Sequence, residues 1–295
     1  MTDDLGGRLA ALHDRLVELD SVVVAFSGGV DSAFLLAAAV RSLGSQSVLA
    51  ATSTSASLAD GEWAAAHRFA TGLGVAHVAV ATDELQRDGY RRNGPDRCYH
   101  CKSALGDELS SLAQQRGIAH VATGTNADDL AEPHRPGLRA AAERDVVTPL
   151  ADVGLSKAHI REASRRWGLP TWDKPQAACL ASRVAYGIEV DPERLARIDR
   201  AEAAVRAELA RVGIPVRNVR VRDLGDRASI EIDSEWVAAA TSGCDLTAVV
   251  AATGFPTATV DRRGFRTGAL NERLAPAELV PGQLNRSSWD LPLVD

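Results

Sequence analysis

Two groups of residues in this chain have types and spacings that could do chemistry. The first is Ser27-Gly28-Gly29-Val30-Asp31-Ser32, between a short apolar, β-branched run and a helical pattern. Glycines allow close approach of backbone to an oxyanion. The free N–H groups and the dipole at a helix start favour negative charge. Ser27 and Ser32 add hydroxyl donors, and Asp31 can help hold a metal ion on phosphate oxygens. The Gly-Lys-Ser/Thr ending of a Walker A loop is missing, so another kind of phosphate loop is expected. The second group is built on sulfur. Cys98-Tyr99-His100-Cys101 is a C-x-x-C pair, and Cys179 lies in Ala178-Cys179-Leu180-Ala181-Ser182-Arg183. Structural zinc wants four N or S ligands, and His100 is badly placed to be the fourth. Three thiolates with an open fourth position suit an iron–sulfur cluster that leaves one iron free. A redox disulfide between Cys98 and Cys101 and an inert surface pair are the alternatives. Cys244, in a plain Ser-Gly-Cys-Asp turn, is expected to be inert.

These residues must be positioned by regular elements. Apolar periodicity predicts helices over 8–19, 31–43, 59–71, 103–116, 156–167 and 191–212, with Ser156 as an N-cap and Pro192 in a first turn. Short buried runs predict strands over 21–26, 48–53, 75–81 and 119–124. Residues 83–101 and 168–187 are expected to be loops, and long loops of this kind are often functional. After them come paired strands over 216–222 and 228–232, helices over 235–240 and 246–252, and a strand over 257–260. The expected fold is α/β: a parallel sheet with helices on both faces over residues 1–186, then a smaller α/β domain over 187–295. In such sheets ligands collect outside the carboxyl ends of the strands. That directs attention to Thr52 and Ser53, and to Gly124-Thr125-Asn126-Ala127-Asp128-Asp129. Asp128 or Asp129 could hold Mg²⁺; a helix cap with first-turn acids is the plain alternative.

Composition narrows the field. The 295 residues are 45% apolar and 24% charged, with a net charge of -6, which suits a folded domain and argues against non-specific nucleic-acid binding. A small-molecule substrate fits better. No apolar run reaches the roughly 20 residues of a membrane span, and the acidic start Met1-Thr2-Asp3-Asp4 is no signal peptide. The expected compartment is the cytoplasm. Of 33 basic residues only Lys102, Lys157 and Lys174 are lysines; a need for a compact ammonium at each and arginine-rich codon usage explain the bias equally well.

The loop at Ser27–Ser32 resembles the PP-loop of the N-type ATP pyrophosphatases, which cleave ATP between its α and β phosphates and leave AMP on the substrate. Further segments resemble one family of that class, the LarE sulfur transferases of nickel-pincer nucleotide biosynthesis. They are Asp96-Arg97-Cys98-Tyr99-His100-Cys101-Lys102, Arg135-Pro136-Gly137-Leu138-Arg139-Ala140-Ala141, and Trp172-Asp173-Lys174-Pro175 leading into Cys179-Leu180-Ala181-Ser182-Arg183. Val219-Arg220-Val221-Arg222 and Gly264-Phe265-Arg266-Thr267-Gly268 complete the set.

The resemblance implies that ATP, with Mg²⁺ on Asp31 and Asp128, adenylates a carboxylate of pyridinium-3,5-biscarboxylic acid mononucleotide. Sulfur then replaces AMP and yields a thiocarboxylate. In one branch of the family the residue matching Cys179 gives up its own sulfur and becomes dehydroalanine. In the other, three cysteines hold a [4Fe-4S] cluster carrying an extra sulfide, and the C-x-x-C pair points to that branch, with Cys98, Cys101 and Cys179 as ligands. Bidentate arginines are expected for the anionic substrate: Arg220 and Arg222 on one strand face, Arg266, and Arg183, which could also lower the pKa of Cys179. Lys157 and Lys174 are candidates for the ATP phosphates or AMP, and Lys102 for plain surface. Homo-oligomers and other nickel-pincer biosynthesis proteins are the implied partners. The competing readings are a tRNA-thiolating enzyme, an ammonia-dependent amide synthetase and a non-catalytic nucleotide-binding or metal-binding protein.

Overall fold

The computed structural model describes residues 5–132, 135–176 and 178–273. The expected domain ends, residues 1–4 and 274–295, lie outside the described residues. Strands β1 (Val22–Ala25), β2 (Val48–Thr54), β3 (Ala76–Ala81) and β4 (His120–Thr123) form a parallel sheet in the order β3-β2-β1-β4. Residues of β1 alternate between two cores. Val22 and Val24 pack with Leu16, Phe34 and Leu36, whereas Val23 packs with Leu49, Leu109 and Ala113 on the other face. That explains the unbroken apolar run, because a central parallel strand is buried on both sides. The chain leaves β1 toward β2 on one side, and β4 pairs with β1 on the other. The carboxyl end of β1 is therefore a topological switch point.

Helices α1 (Leu5–Val17), α2 (Val30–Leu43) and α3 (Glu62–Gly72) cover the first core. Helix α2 follows β1 directly and has Ala33 to Ala39 buried without a break, so it runs through the core with little solvent-facing surface. A 3₁₀ turn (Glu84–Gln86) and α4 (Asp88–Arg91) lead into α5 (Arg97–Arg116), which closes the second face. Here the structure corrects the expected loop over 83–101, because the whole C-x-x-C pair lies in the first turns of α5. The buried face of those turns carries Arg97, Ser103, Ala104 and Gly106, which give no apolar signal from which to read a helix. Short helices α6 (Ala127–Ala131), α7 (Pro136–Ala142) and α8 (Pro149–Asp152) follow β4. Then comes α9 (Lys157–Arg166), capped as expected by Ser156, which accepts from the His159 amide at 3.2 Å.

The last part of the chain builds a second sheet, with β5 (Val219–Asp223) antiparallel to β6 (Ala228–Ile232), and β6 parallel to β7 (Ala258–Val260). Helix α10 (Pro192–Arg211) and α12 (Leu246–Ala251) pack on it, with α11 (Val237–Gly243) beside them. This core also takes in Tyr90, Leu180, Ala181 and Val184 from ahead of residue 187. The segment after Cys179 is thus pinned to the second sheet, and Ala185 N donates to Asp223 O at 2.9 Å. Among the described residues no helix is long and apolar enough to cross a membrane.

Candidate active site

The phosphate loop leaves β1 at the switch point. Gly28 has φ +69°, a left-handed conformation suited to glycine, and Gly29 caps α2 without a side-chain bond. The Ser27 and Ser32 hydroxyls lie 3.1 Å apart, and Ser32 Oγ donates to Gly29 O at 3.2 Å. The amides of the first turn thus remain available to an anion. Asp31 is ion-paired with the Lys157 ammonium, yet its Oδ1 is buried without a partner. Burial raises its pKa against the pull of Lys157, and the neighbouring Asp129 carboxylate adds to the rise. A carboxylate held so, with an orphan oxygen, suits a site that receives a further cation. Lys174 Nζ donates to Gly28 O at 3.1 Å and to Glu62 at 2.8 Å. Two of the three lysines therefore reach this loop.

The flanking residues are mostly braces. Gly124 approaches α2 closely, since a Cβ there would lie 2.7 Å from Ser32 N. Asn126 caps α6 in a reciprocal box with Asp129, and Thr125 Oγ1 lies 3.0 Å from Thr123 Oγ1. Asp128 accepts from Lys157 N at 2.8 Å and so ties α6 to the start of α9; of the pair, Asp129 is the one that bears electrostatically on Asp31. Thr52 is buried and donates to Phe26 O. Ser53 Oγ lies 2.8 Å from Thr82 Oγ1.

The sulfur residues gather around Arg97. Cys98 and Cys179 are exposed, and Cys101 is half-buried against the second core. Burial, then the neighbouring Cys179 thiol, pushes Cys101 up to about 12. Tyr90 is fully buried, bonds Ser57 Oγ at 2.5 Å, and has its pKa raised by burial and by Cys179. Among the described residues no three His, Cys, Asp or Glu side chains converge to hold a metal ion. Cys98, Cys101 and Cys179 thus share a neighbourhood without forming a ligand set. Cys244 lies apart, its Sγ donating to Ala240 O at 3.4 Å.

A cavity of about 130 Å³ opens beside these residues. Its lining includes Arg97, Gln176, Tyr186, Arg220, Arg222 and Phe265. Alternation along β5 explains the arginines: Val219 and Val221 enter the core while Arg220 and Arg222 take the opposite face. Arg222 is held by Glu231 on the neighbouring strand, at 2.9 Å, and donates to Ser182 O. Arg220 bonds only the Val219 and Gln176 carbonyls, and its guanidinium lies 5.2 Å from the Phe265 ring. Among the described residues no carboxylate pairs with it, and burial followed by repulsion from Arg183 brings its pKa down to about 10. Burying a charge without a partner is costly, so Arg220 is ready for an external anion. Arg183 stands behind the cleft and not on it. It pairs with Glu202 at 2.8 Å and donates to the Ala178 and Cys179 carbonyls, which shapes the cysteine loop. Arg266 pairs with Glu272 at 3.1 Å, outside the cavity lining, and Lys102 packs against Gly137.

One segment joins the two halves of the site. Lys174 contacts the phosphate loop, Gln176 O receives Arg220, Ala178 and Ser182 line the cleft, and between them Cys179 is exposed, its neighbour Leu180 donating to Ser57 O at 2.9 Å. Sequence reasoning missed Arg97, Asn93, Tyr90 and Glu202. Each acts through partners distant in the chain, and a single arginine among thirty gives no local signal.

No family model matches the chain. It is 39% identical over 273 residues to an uncharacterized protein of Synechocystis, covering 92% of this chain and 99% of that one. It is 31% identical over 277 residues to the pyridinium-3,5-bisthiocarboxylic acid mononucleotide synthase of Lactiplantibacillus plantarum, covering 94% of this chain and 98% of the synthase. A more distant similarity, 30% over 162 residues, links it to the argininosuccinate synthase of Halobacterium salinarum and covers 51% of this chain and 40% of that one.

Proposed function

The chain belongs to the LarE family, that of the pyridinium-3,5-bisthiocarboxylic acid mononucleotide synthase, and from that premise we propose that it is an ATP-dependent sulfur transferase acting on pyridinium-3,5-biscarboxylic acid mononucleotide. The observation that carries this reading is the segment 174–183. It touches the phosphate loop through Lys174 and lines the arginine-bearing cleft through Gln176, Ala178 and Ser182, the last two on either side of the Cys179 turn. An activating site and a sulfur site on one short segment suit two successive reactions on one substrate.

In the first, a substrate carboxylate oxygen attacks the α-phosphorus of ATP and pyrophosphate leaves. The loop amides, Ser27, Ser32, Lys157 and Lys174 supply donors and positive charge for the phosphates. Mg²⁺ would be held at Asp31, whose orphan oxygen fits a cation, and would neutralise phosphate charge. In the second, a sulfur nucleophile attacks the acyl carbon and AMP departs with its bonding electrons. Arg220 and Arg222 fit the anionic substrate, while Arg183 orients the Cys179 loop. The cysteines do not form a ligand set as they stand, so no step is derived through an iron–sulfur cluster. We infer that Cys179, an exposed thiol, is itself the sulfur donor: after the thioester forms, loss of the Cα proton and cleavage of Cβ–Sγ releases thiocarboxylate and leaves dehydroalanine.

The test is Cys179→Ala. Pyrophosphate release with ATP and the mononucleotide should persist, and thiocarboxylate formation should stop. Thiocarboxylate at the normal yield would remove Cys179 from the reaction. Loss of pyrophosphate release in a folded variant would contradict the two-step division.

A further inference from the structure

Of the three arginines that line the cleft, Arg97 is the one that the two-step scheme leaves without a task. Its side chain begins α5 and is 6% exposed. A guanidinium has five N–H donors. Its Nη1 donates to Asn93 Oδ1 and, at 2.9 Å, to Ala181 O. No protein acceptor among the described residues takes its Nε or Nη2, and no carboxylate pairs with it. The guanidinium carbon lies 5.7 Å from the Tyr186 ring centre, and Arg97 lines the same cavity as Arg220 and Arg222. A guanidinium this deeply buried, with no carboxylate partner among the described residues, has N–H donors to spare for a further acceptor. The groups that bear on it are sulfur and phenol: burial works against its charge, and Cys179, Cys98, Tyr186 and Tyr90 favour it in that order. It lines the cleft, precedes Cys98 in the chain and bonds the Cys179 loop at Ala181 O.

Its placement is rigid. Asn93 is fully buried in a left-handed conformation, φ 55°, which asparagine tolerates well. The Asn93 amide nitrogen donates to the carbonyls of Ala185, at 2.8 Å, and Ile188, at 2.9 Å, which leaves Oδ1 for Arg97. Arg97 is thus fixed to the C-x-x-C helix by the chain and to the Cys179 loop by Ala181 O. A donor fixed in advance, in a site shielded from water, is what stabilises charge as it develops in a transition state.

We propose that Arg97 is a catalytic residue of the sulfur-transfer step, holding the acyl oxygen of the activated carboxyl group with its free N–H edge. This rests on the sulfur-transferase reading. As the sulfur adds to the acyl carbon, one C–S bond forms and the carbonyl π pair moves onto oxygen, where the guanidinium receives it. Collapse restores the C=O bond and breaks the bond to AMP, which leaves as its anion. No electron acceptor or donor is needed.

The experiment is a single-turnover assay of full-length wild type, Arg97→Lys and Arg97→Met, with ATP and pyridinium-3,5-biscarboxylic acid mononucleotide, following pyrophosphate and thiocarboxylate separately. Thermal melting of each variant is measured in parallel. Pyrophosphate release should stay within a few-fold of wild type, while thiocarboxylate formation slows by about 100-fold or more, as when one oxyanion donor is lost. The acyl adenylate should accumulate in both variants, and Lys should recover part of the rate. Thiocarboxylate formation at the wild-type rate in either variant would overturn the inference alone. So would an equal slowing of both steps in Arg97→Lys with an unchanged melting temperature. A wild type that releases no pyrophosphate with this substrate would overturn the functional reading and this inference with it.

Discussion

A methyl group added at Gly124 would sit 2.7 Å from Ser32 N and 2.9 Å from the Asp31 carbonyl carbon. Both are backbone, so the start of α2 would have to shift, and with it the amides proposed to hold the phosphates. Gly124→Ala should cost about 1–3 kcal/mol of stability, as over-packing does. It should lower ATP affinity at least about tenfold, read as loss of the ATP-dependent rise in melting temperature. An unchanged rise would mean that the loop tolerates the displacement. The phosphate loop itself was legible, because six consecutive residues at a strand–helix junction carry their own signal. The supports were not. Gly124 was placed near the loop by topology alone, and nothing in the chain announces that it lies against the backbone of Asp31 and Ser32 with no room for a side chain. Arg183 shows the opposite error of scale. Next to Cys179 in sequence, it was expected on the substrate, yet its guanidinium turns back onto Glu202 and the loop carbonyls.

At the scale of elements, β3 is tied to the phosphate loop by a short relay. The Thr52 hydroxyl donates to Phe26 O, and His77 Nε2 lies 2.8 Å from Thr52 Oγ1. The Thr52 proton is committed to Phe26, so Nε2 must carry the proton that bridges to Thr52. Burial, and then the neighbouring His67, lowers the His77 pKa from 6.5 to about 4. The unfolded chain therefore binds a proton that the folded protein resists, and the stabilisation is complete above pH 6.5 and is lost progressively toward pH 4. Melting temperature should fall between pH 7 and pH 5 in wild type and fall less in His77→Gln; equal slopes would contradict the assignment. The principal strands and helices could be read from periodicity, because each buries an apolar face. The C-x-x-C segment could not. Its helix starts on Arg97 and buries small and polar residues, and it is held by partners such as Ala181, 84 positions away. Only the tertiary structure makes that stretch helical.

Across the whole molecule, a net charge of -6 coexists with a cleft lined by Arg97, Arg220 and Arg222. Bulk charge keeps the surface unsuited to a polyanion, whereas the local charge suits the small anionic substrate proposed above. The two sheets are linked by a segment that contacts the Ser27–Ser32 loop through Lys174 and Arg220 through Gln176, so in the proposed scheme activation and sulfur transfer need no long movement of the substrate. Glu202 extends the connection: it holds Arg183 and accepts from Val221 N at 3.1 Å, linking the cysteine loop to β5. The two sheets, a parallel one early in the chain and a smaller mixed one late, were readable from the change of pattern. The shared core around Tyr90 and Leu180 was not, because it joins residues far apart in the chain.

The central claim is ATP-driven transfer of the Cys179 sulfur into a carboxylate. The most direct measurement is mass spectrometry of protein and small molecules after one turnover with ATP and pyridinium-3,5-biscarboxylic acid mononucleotide, on anaerobically purified protein of known iron and sulfide content. The account predicts AMP, a thiocarboxylate product, and a protein lighter by the elements of hydrogen sulfide, with dehydroalanine at position 179. Thiocarboxylate formed over many turnovers, with an unchanged protein mass and about four irons per chain, would contradict Cys179 as donor and assign the sulfur to a cluster.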